Sequence, residues 1–173
     1  MSGFESGAPL GISQTSLTSW DTTDWLRYLD RQGNLWEVEP GSSTDLGSVP
    51  SLLDWFVSRT YGAPAYVLHD TFYRYWIKTG KATYRQADRI LREALADLGG
   101  PTPKCWFAWA GVRWASIFTR SGGAKGAWRD LPALVAITVP GLILASPAVL
   151  LLPSMALLAA LNRIAPTSKK ETP

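Results

Sequence analysis

The feature that most limits what this chain can fold into is a run of 31 residues, Leu131 to Leu161, without a charged side chain. A membrane helix needs about 20 apolar residues, so the run is long enough for one span. As a straight helix it would extend about 46 Å, which exceeds the ~30 Å hydrocarbon core of a bilayer. Two full spans need about 40 residues and a turn, and they do not fit. The sequence therefore predicts a membrane anchor over residues 131–163.

Prolines, which kink or interrupt helices, determine the expected conformation of this anchor. They stand at Pro132, Pro140, Pro147 and Pro153. We expect either one tilted, kinked span or two half-depth helices that turn near Ser146 and Pro147. A buried hairpin in a soluble core is the alternative, but a chain of 173 residues offers little to cover so much apolar surface. Basic residues flank both ends, so the charge distribution does not set the orientation.

The rest of the chain divides by composition. Residues 1–19 are rich in serine and glycine, lack the features of a signal peptide, and are expected to be a disordered lead-in. A head domain is predicted over residues 20–120, a linker over 121–130, and a basic tail over 164–173. The single cysteine excludes an internal disulfide. The head domain is expected on the cytoplasmic side of the membrane.

The head domain has the pattern of an α+β fold. The segment "DWLRYLDRQGNLWEVEPG" predicts two short strands around a turn, so a small N-terminal hairpin or sheet is expected. A first helix is predicted from Pro64 to Lys78. A second begins with a capping box, Thr83 and Gln86, and a third starts near Pro103. The predicted architecture is this sheet packed with three helices and followed by the membrane-type helical segment.

Tryptophans on the third helix have two interpretations. Trp106, Trp109 and Trp114 could pack in the core, which is the commoner role. They could instead lie at a membrane interface just before the anchor, with Arg113 and Arg120 beside them.

The only histidine, His69, lies on the inward stripe of the first helix, and Tyr73 follows one turn later. Asp88 borders the apolar face of the second helix. A carboxylate beside a core needs a partner, because an unpaired buried charge is costly. The two helices are joined by a short turn, so His69 and Asp88 are expected within reach of each other. The functional interpretation is a dyad in which Asp88 orients His69 as a general base, with Asp70 binding a metal or polarising a substrate. The alternative is a structural histidine bonded to Asp70 or Asp88.

A polar loop precedes the helices and is a second candidate site. Thr44, Asp45 and Ser48 lie in "STDLGSVP", between a strand and a helix, where functional residues often lie. The alternative is that Asp45 and Ser48 only bond backbone amides in a turn.

Three ordered motifs resemble a phage and bacterial family called domain of unknown function 1353. They are "VEPGSSTDLGSVPSLLDWF", "VLHDTFYR" and "YRQADRILREALADLG", between Trp36 and about Phe118. The family pattern is a strand, a Pro-Gly, a T-D-x-x-S-x-P loop, an H-D-x-x-Y helix and an A-D pair on the next helix. The matching residues here are Thr44, Asp45, Ser48, Pro50, His69, Asp70, Tyr73, Ala87 and Asp88. The resemblance implies a phage or prophage origin and no particular activity.

A second resemblance concerns the histidine helix alone. His-Asp-x-x-Tyr with an aspartate on a partner helix looks like the catalytic layout of secreted and parvoviral phospholipases. That resemblance implies His69 as base, Asp88 as its orienting group and Asp70 as a ligand of a divalent cation. The glycine-rich calcium loop and the disulfides of those enzymes are missing from this sequence.

Together these patterns predict a membrane-anchored, phage-type protein with a hydrolytic His/Asp site that acts on lipid or envelope esters. The alternative is a non-enzymatic virion, tail-assembly or lysis-accessory protein with a structural His/Asp network. The membrane, through residues 131–161, and phage or envelope proteins are the expected partners, and virion association is a further expectation. Nucleic acid is not expected, because the stripe of Arg85, Arg89 and Arg92 is interrupted by acidic residues.

Overall fold

The computed structural model describes residues 2–5, 10–46 and 62–150, with the backbone alone for 143–150. These ranges contain six strands: β1 (Gly3–Phe4), β2 (Ile12–Gln14), β3 (Trp20–Thr22), β4 (Leu26–Leu29), β5 (Leu35–Val38) and β6 (Ser43–Thr44). They form two antiparallel three-stranded sheets, ordered β1-β4-β5 and β2-β3-β6. The helices are α1 (Ala63–Thr71), α2 (Tyr84–Asp97), α3 (Thr102–Thr119) and α4 (Leu131–Leu150). The α+β prediction is confirmed.

The predicted hairpin is formed by β4 and β5, with Tyr28 opposite Trp36. Side chains alternate between the faces of these strands, so Tyr28 and Trp36 are buried while Leu35 is exposed. Asp30 fixes the turn, because its carboxylate accepts the backbone N–H groups of Gln32 and Asn34 and the indole N–H of Trp36. The hairpin thereby presents its aromatic face to the helices.

The N-terminal prediction was wrong for the described residues, since β1 and β2 lie in the segment expected to be disordered. Phe4 pairs with Tyr28 in the sheet, and their rings are 4.8 Å apart. Leu10 and Ile12 pack against the core. The composition of the segment as a whole is poor in apolar residues, but three of them suffice to pair with strands that the rest of the fold already provides.

Helix α1 lies against the hairpin and α2. It begins after Gly62, whose φ of 90° and missing Cβ allow close approach to the side chain of Leu95 on α2. The prediction of one regular helix to Lys78 needs correction. A π-helical segment, Phe72–Trp76, continues α1, and Ile77 N–H bonds to the carbonyl of Phe72, five residues back. The capping box is confirmed, since the Thr83 hydroxyl accepts the N–H of Gln86.

The tryptophans of α3 pack against the beginning of α4. Trp109 and Leu134 are buried in a small second core, and the indole of Trp114 donates to the Thr138 hydroxyl. Gly141 lies so close to the ring of Phe107 that a Cβ would not fit without movement. The first half of α4 is therefore part of the head and not a separate element.

The predicted anchor is only partly visible. Helix α4 continues through Pro140 and Pro147, so the proposed turn at Ser146 and Pro147 is wrong. Within the part of the chain that the structure describes, no helix is both long enough and apolar enough to span a bilayer. Residues 151–163 of the predicted anchor and the basic tail, 164–173, lie outside the described residues.

The segment predicted as a linker, residues 121–130, is held against the helices. The carbonyl of Gly123 accepts a bond from Arg113, and a short 3₁₀ turn, Ala127–Arg129, leads to the buried Asp130. The backbone carbonyl of Asp130 then accepts the N–H of Leu134 in α4. The start of α4 is thus fixed by the same residues that close the head domain.

Candidate functional site

The structure brings His69, Tyr73 and Asp88 together between α1, its π-helical continuation and α2. His69 Nε2 lies 3.1 Å from Asp88 Oδ1, and the Tyr73 hydroxyl donates to the same oxygen at 2.7 Å. The rings of His69 and Tyr73 are 4.4 Å apart. The predicted convergence of these three side chains is therefore present in the fold.

Asp88 is fully buried and has partners on both carboxylate oxygens. His69 and Tyr73 contact Oδ1. Ser116 Oγ donates to Oδ2 at 3.0 Å, and Arg113 Nη1 lies 3.6 Å from the same oxygen. A buried carboxylate is tolerated when charge and hydrogen bonds compensate its loss of water, and here α1 with its π-helical continuation and α3 supply them.

Arg113 is the largest fully buried side chain of the described residues. Its Nε donates to Asp130 Oδ2 at 2.9 Å, and Nη1 donates to Ser116 Oγ and to the carbonyl of Gly123. Arg85 binds Asp130 from the other side. Burial alone would raise the pKa of Asp130, but the bonds from Arg85 and Arg113 hold it below its usual range. The membrane-interface alternative for this helix therefore does not hold for Arg113, which is fully buried.

Asp70 joins the polar loop to α1. The Thr44 hydroxyl donates to Asp70 Oδ2 at 2.5 Å, and the backbone N–H of Asp45 contacts the same oxygen at 3.3 Å. Burial and, to a smaller degree, the nearby charge of Asp45 raise the pKa of Asp70 to about 6, against the lowering effect of the Thr44 bond. The loop and the histidine helix, which the sequence offered as two separate candidate sites, thus meet at Asp70. Ser48 lies outside the described residues.

A cavity of about 450 Å³ lies beside these residues. His69, Asp70, Tyr73 and Ser116 contribute to its wall, and so does Asp45. His69 is 8% exposed, so its ring borders the cavity without being freely solvated. The volume falls in the range of small-molecule sites, roughly 300–1,000 Å³.

The hydrogen bonds define what each group can do. With Nε2 facing the Asp88 carboxylate, a neutral His69 ring carries its proton there, and the lone pair falls on Nδ1. Burial and the charge of Asp88 raise the pKa of Tyr73. Tyr73 is therefore a hydroxyl donor that holds Asp88, and it does not compete with His69 as a base.

The fit of a divalent cation is poor for the described residues. They contain no group of three or more His, Cys, Asp or Glu side chains placed to hold a metal. Asp70 and Asp45 are two neighbouring acids, and one oxygen of Asp70 already accepts two hydrogen bonds. Calcium takes six to eight oxygen ligands. The role of Asp70 as a metal ligand stays a prediction.

The raised pKa of Asp70 predicts a pH-dependent effect of Asp70→Asn on stability. The folded-state pKa, about 6, exceeds the unfolded value near 3.9, so the wild type loses stability as pH rises from 4 to 6. The variant carries no charge there. We expect its free energy of unfolding to exceed that of the wild type by about 2–3 kcal/mol at pH 8.

This difference should shrink to near zero below pH 4, where the wild-type carboxyl is protonated in both states. Urea unfolding of both proteins between pH 4 and 8 measures it. Asp24→Asn, an exposed site, is the matched control. A difference between wild type and Asp70→Asn that did not change with pH would contradict the assignment.

Sequence reasoning missed Ser116 and Asp130, and it considered Arg113 only in the interfacial alternative for α3. A usable signal exists on α3, where Cys105, Trp109, Arg113 and Ser116 recur at helical spacing and all are buried. An arginine and a serine on the apolar stripe of a helix indicate a buried polar partner elsewhere. The partner, Asp88, was already singled out for the same reason.

Comparison with known proteins identifies the family of the chain. The profile of the family described as "Protein of unknown function (DUF1353)" matches residues 20–112, more than half of the chain. The chain belongs to the DUF1353 family. The matched range contains His69, Asp70, Tyr73 and Asp88. No curated protein and no solved structure matches the chain significantly. The DUF1353 family carries no assigned activity in its description, so function has to be argued from the site.

Proposed function

We propose that this DUF1353 protein is a hydrolase in which His69, oriented by Asp88, activates water against an ester. The observation that carries the proposal is the 3.1 Å contact between His69 Nε2 and Asp88 Oδ1 at the wall of the 450 Å³ cavity. A histidine whose far nitrogen binds a buried carboxylate is a standard general base.

The reaction balances with this chain's own groups. His69 Nδ1 takes a proton from water as the water oxygen attacks the ester carbonyl carbon, and the carbonyl electron pair moves to its oxygen. Asp88 stabilises the imidazolium that forms. When the tetrahedral intermediate collapses, the C–O bond to the alcohol breaks, and the imidazolium returns its proton to the departing alkoxide. Tyr73 and Ser116 hold Asp88 in place throughout.

Exposed apolar side chains support lipid or envelope esters as the substrate class. On α4, four of them recur along one outward face: Leu131, Val135, Val139 and Leu142. Phe118 and Trp128 are 76% and 69% exposed nearby in the chain. A helix face of this kind, preceded by tryptophan and basic residues, is typical of segments that lie against lipid. This arrangement supports the predicted membrane association. The cytoplasmic location and the phage origin remain predictions.

A structural role is the second candidate, and one observation favours it. The contacts of Asp88 tie α1, α2 and α3 together in a fully buried cluster, which is what a fold-stabilising network requires. The two roles are compatible in one cluster, but only the first predicts turnover.

The test is an ester-hydrolysis assay of the full-length chain in a neutral detergent. We expect release of fatty acid from acyl-labelled phospholipid presented in mixed micelles, measured with EDTA and with calcium. The His69→Gln protein, purified in the same way, controls for contaminating esterases. No release from phospholipids or from simple acyl esters, in either condition, would contradict the proposed activity.

A further inference from the structure

The cavity beside His69 has a basic rim. Arg74 and Lys78 line it from the π-helical segment and the turn that follows, and Arg120 lines it from the end of α3. All three are exposed. The guanidinium carbon of Arg120 lies 5.8 Å from the ring centre of Tyr73, the residue that binds Asp88. Cationic groups from two separate elements therefore converge on one opening next to the dyad.

Arg74, Lys78 and Arg120 differ from most other arginines of the described chain because they form no ion pair there. Arg27, Arg31, Arg85, Arg89 and Arg113 each form an ion pair with an acidic side chain. Within the described ranges, no such ion pair involves Arg74, Lys78 or Arg120. Their charge is thus available to a ligand in the cavity.

The charge balance of the cavity favours an anion. Three cations line it against two carboxyl groups, Asp45 and Asp70. Asp70 already accepts bonds from Thr44 and from the Asp45 backbone, which ties it to the loop. A concave site with an excess of positive charge concentrates anionic ligands. The planar guanidinium group of arginine matches the geometry of phosphate oxygens in particular. A phosphate ester with a short acyl portion also fits a volume of about 450 Å³.

We propose that the cavity binds its substrate through a phosphate group held by Arg74, Lys78 and Arg120, which places an ester of the same molecule at His69. This inference deepens the proposed hydrolase function and rests on it only for the chemistry at His69. The phosphate can belong to a phospholipid headgroup or to a soluble phosphate ester, and the two sources share the same recognition.

Binding without turnover tests the proposal independently of hydrolysis. The full-length His69→Gln protein in a neutral maltoside detergent is titrated by calorimetry with glycerol 3-phosphate, and with micelles of a short-chain phosphatidylglycerol. Glycerol and a neutral short-chain diacylglycerol are the uncharged counterparts. We expect at least one phosphate probe to bind and both neutral probes to bind at least tenfold more weakly.

Variants in the same background locate the site. Arg120→Gln and Arg74→Gln should each weaken phosphate binding about tenfold, the loss expected for one charge-assisted hydrogen bond. Arg27→Gln, an exposed arginine on β4 that does not line the cavity, should change nothing. The side chains of all three arginines are exposed to solvent, so we expect these substitutions to leave the melting temperature nearly unchanged, and measuring it excludes a folding defect.

The outcomes distinguish a lipid from a soluble phosphate ester, and they test the phosphate site separately from the hydrolase activity. Binding of glycerol 3-phosphate indicates a soluble ester, and binding of the micelles alone indicates a lipid. If the protein binds phosphate but hydrolyses no ester, the phosphate-site proposal stands and the proposed hydrolase activity is refuted. The proposal is overturned if no phosphate probe binds, if neutral probes bind as well, or if Arg27→Gln weakens binding as much as Arg120→Gln.

Discussion

Replacing His69 by glutamine should lower the rate of ester hydrolysis about 10²- to 10⁴-fold, the contribution typical of a general base. A glutamine amide can still donate a hydrogen bond toward Asp88 Oδ1, which His69 contacts at 3.1 Å. It has no lone pair of comparable basicity on the cavity side. The loss should therefore appear in kcat, with KM little changed, because Arg74, Lys78 and Arg120 remain in place to bind the substrate.

Activity and melting temperature, measured on the same variants, distinguish a catalytic histidine from a merely structural one. If His69 acts as a base, His69→Gln should lose activity while melting within about 3 °C of the wild type, since the bond to Asp88 is retained. His69→Ala removes that bond and leaves a void in the cluster, so it should lose both activity and stability. Turnover by His69→Gln close to the wild-type rate would eliminate His69 as the base, whatever its effect on stability.

The convergence of His69, Tyr73 and Asp88 could be predicted because it depends on local rules. The spacing on each helix fixed which face each residue occupies, and a short connection forced the two helices to be neighbours. A fully buried Asp88 needed a partner, and the only histidine was the nearest candidate. The hairpin at β4 and β5 followed from alternation and turn residues in the same local way.

The other half of the cluster depends on packing between distant segments. Arg113 and Ser116 reach Asp88 only because α3 packs on α2, and Asp130 reaches Arg113 only because the chain after α3 folds back. Neither arrangement is encoded in spacing along one helix. The π-helical segment at Tyr73 also escaped prediction, because its apolar pattern is that of an ordinary helix.

Replacing Asp88 by asparagine should lower the free energy of unfolding by about 3 kcal/mol, which for a chain of this size is a fall of about 6–12 °C in melting temperature. Breaking a buried ion pair costs about 3–5 kcal/mol, and the lower end applies because Arg113 keeps its bond to Asp130. Asp24→Asn makes the same chemical change on the surface and should stay within about 0.5 kcal/mol. Thermal unfolding of both variants measures the difference.

The geometry also fixes how Asp88→Asn affects catalysis. Arg113 can only donate, so the single amide oxygen of asparagine has to face Arg113 and Ser116, on the Oδ2 side. The amide NH₂ then points at His69 Nε2, which becomes an acceptor, and the ring proton moves to Nδ1. That tautomer has no lone pair for water, so hydrolysis should fall by a factor similar to that of His69→Gln. Full activity in a destabilised Asp88→Asn protein would contradict the dyad and leave the cluster as a structural network only.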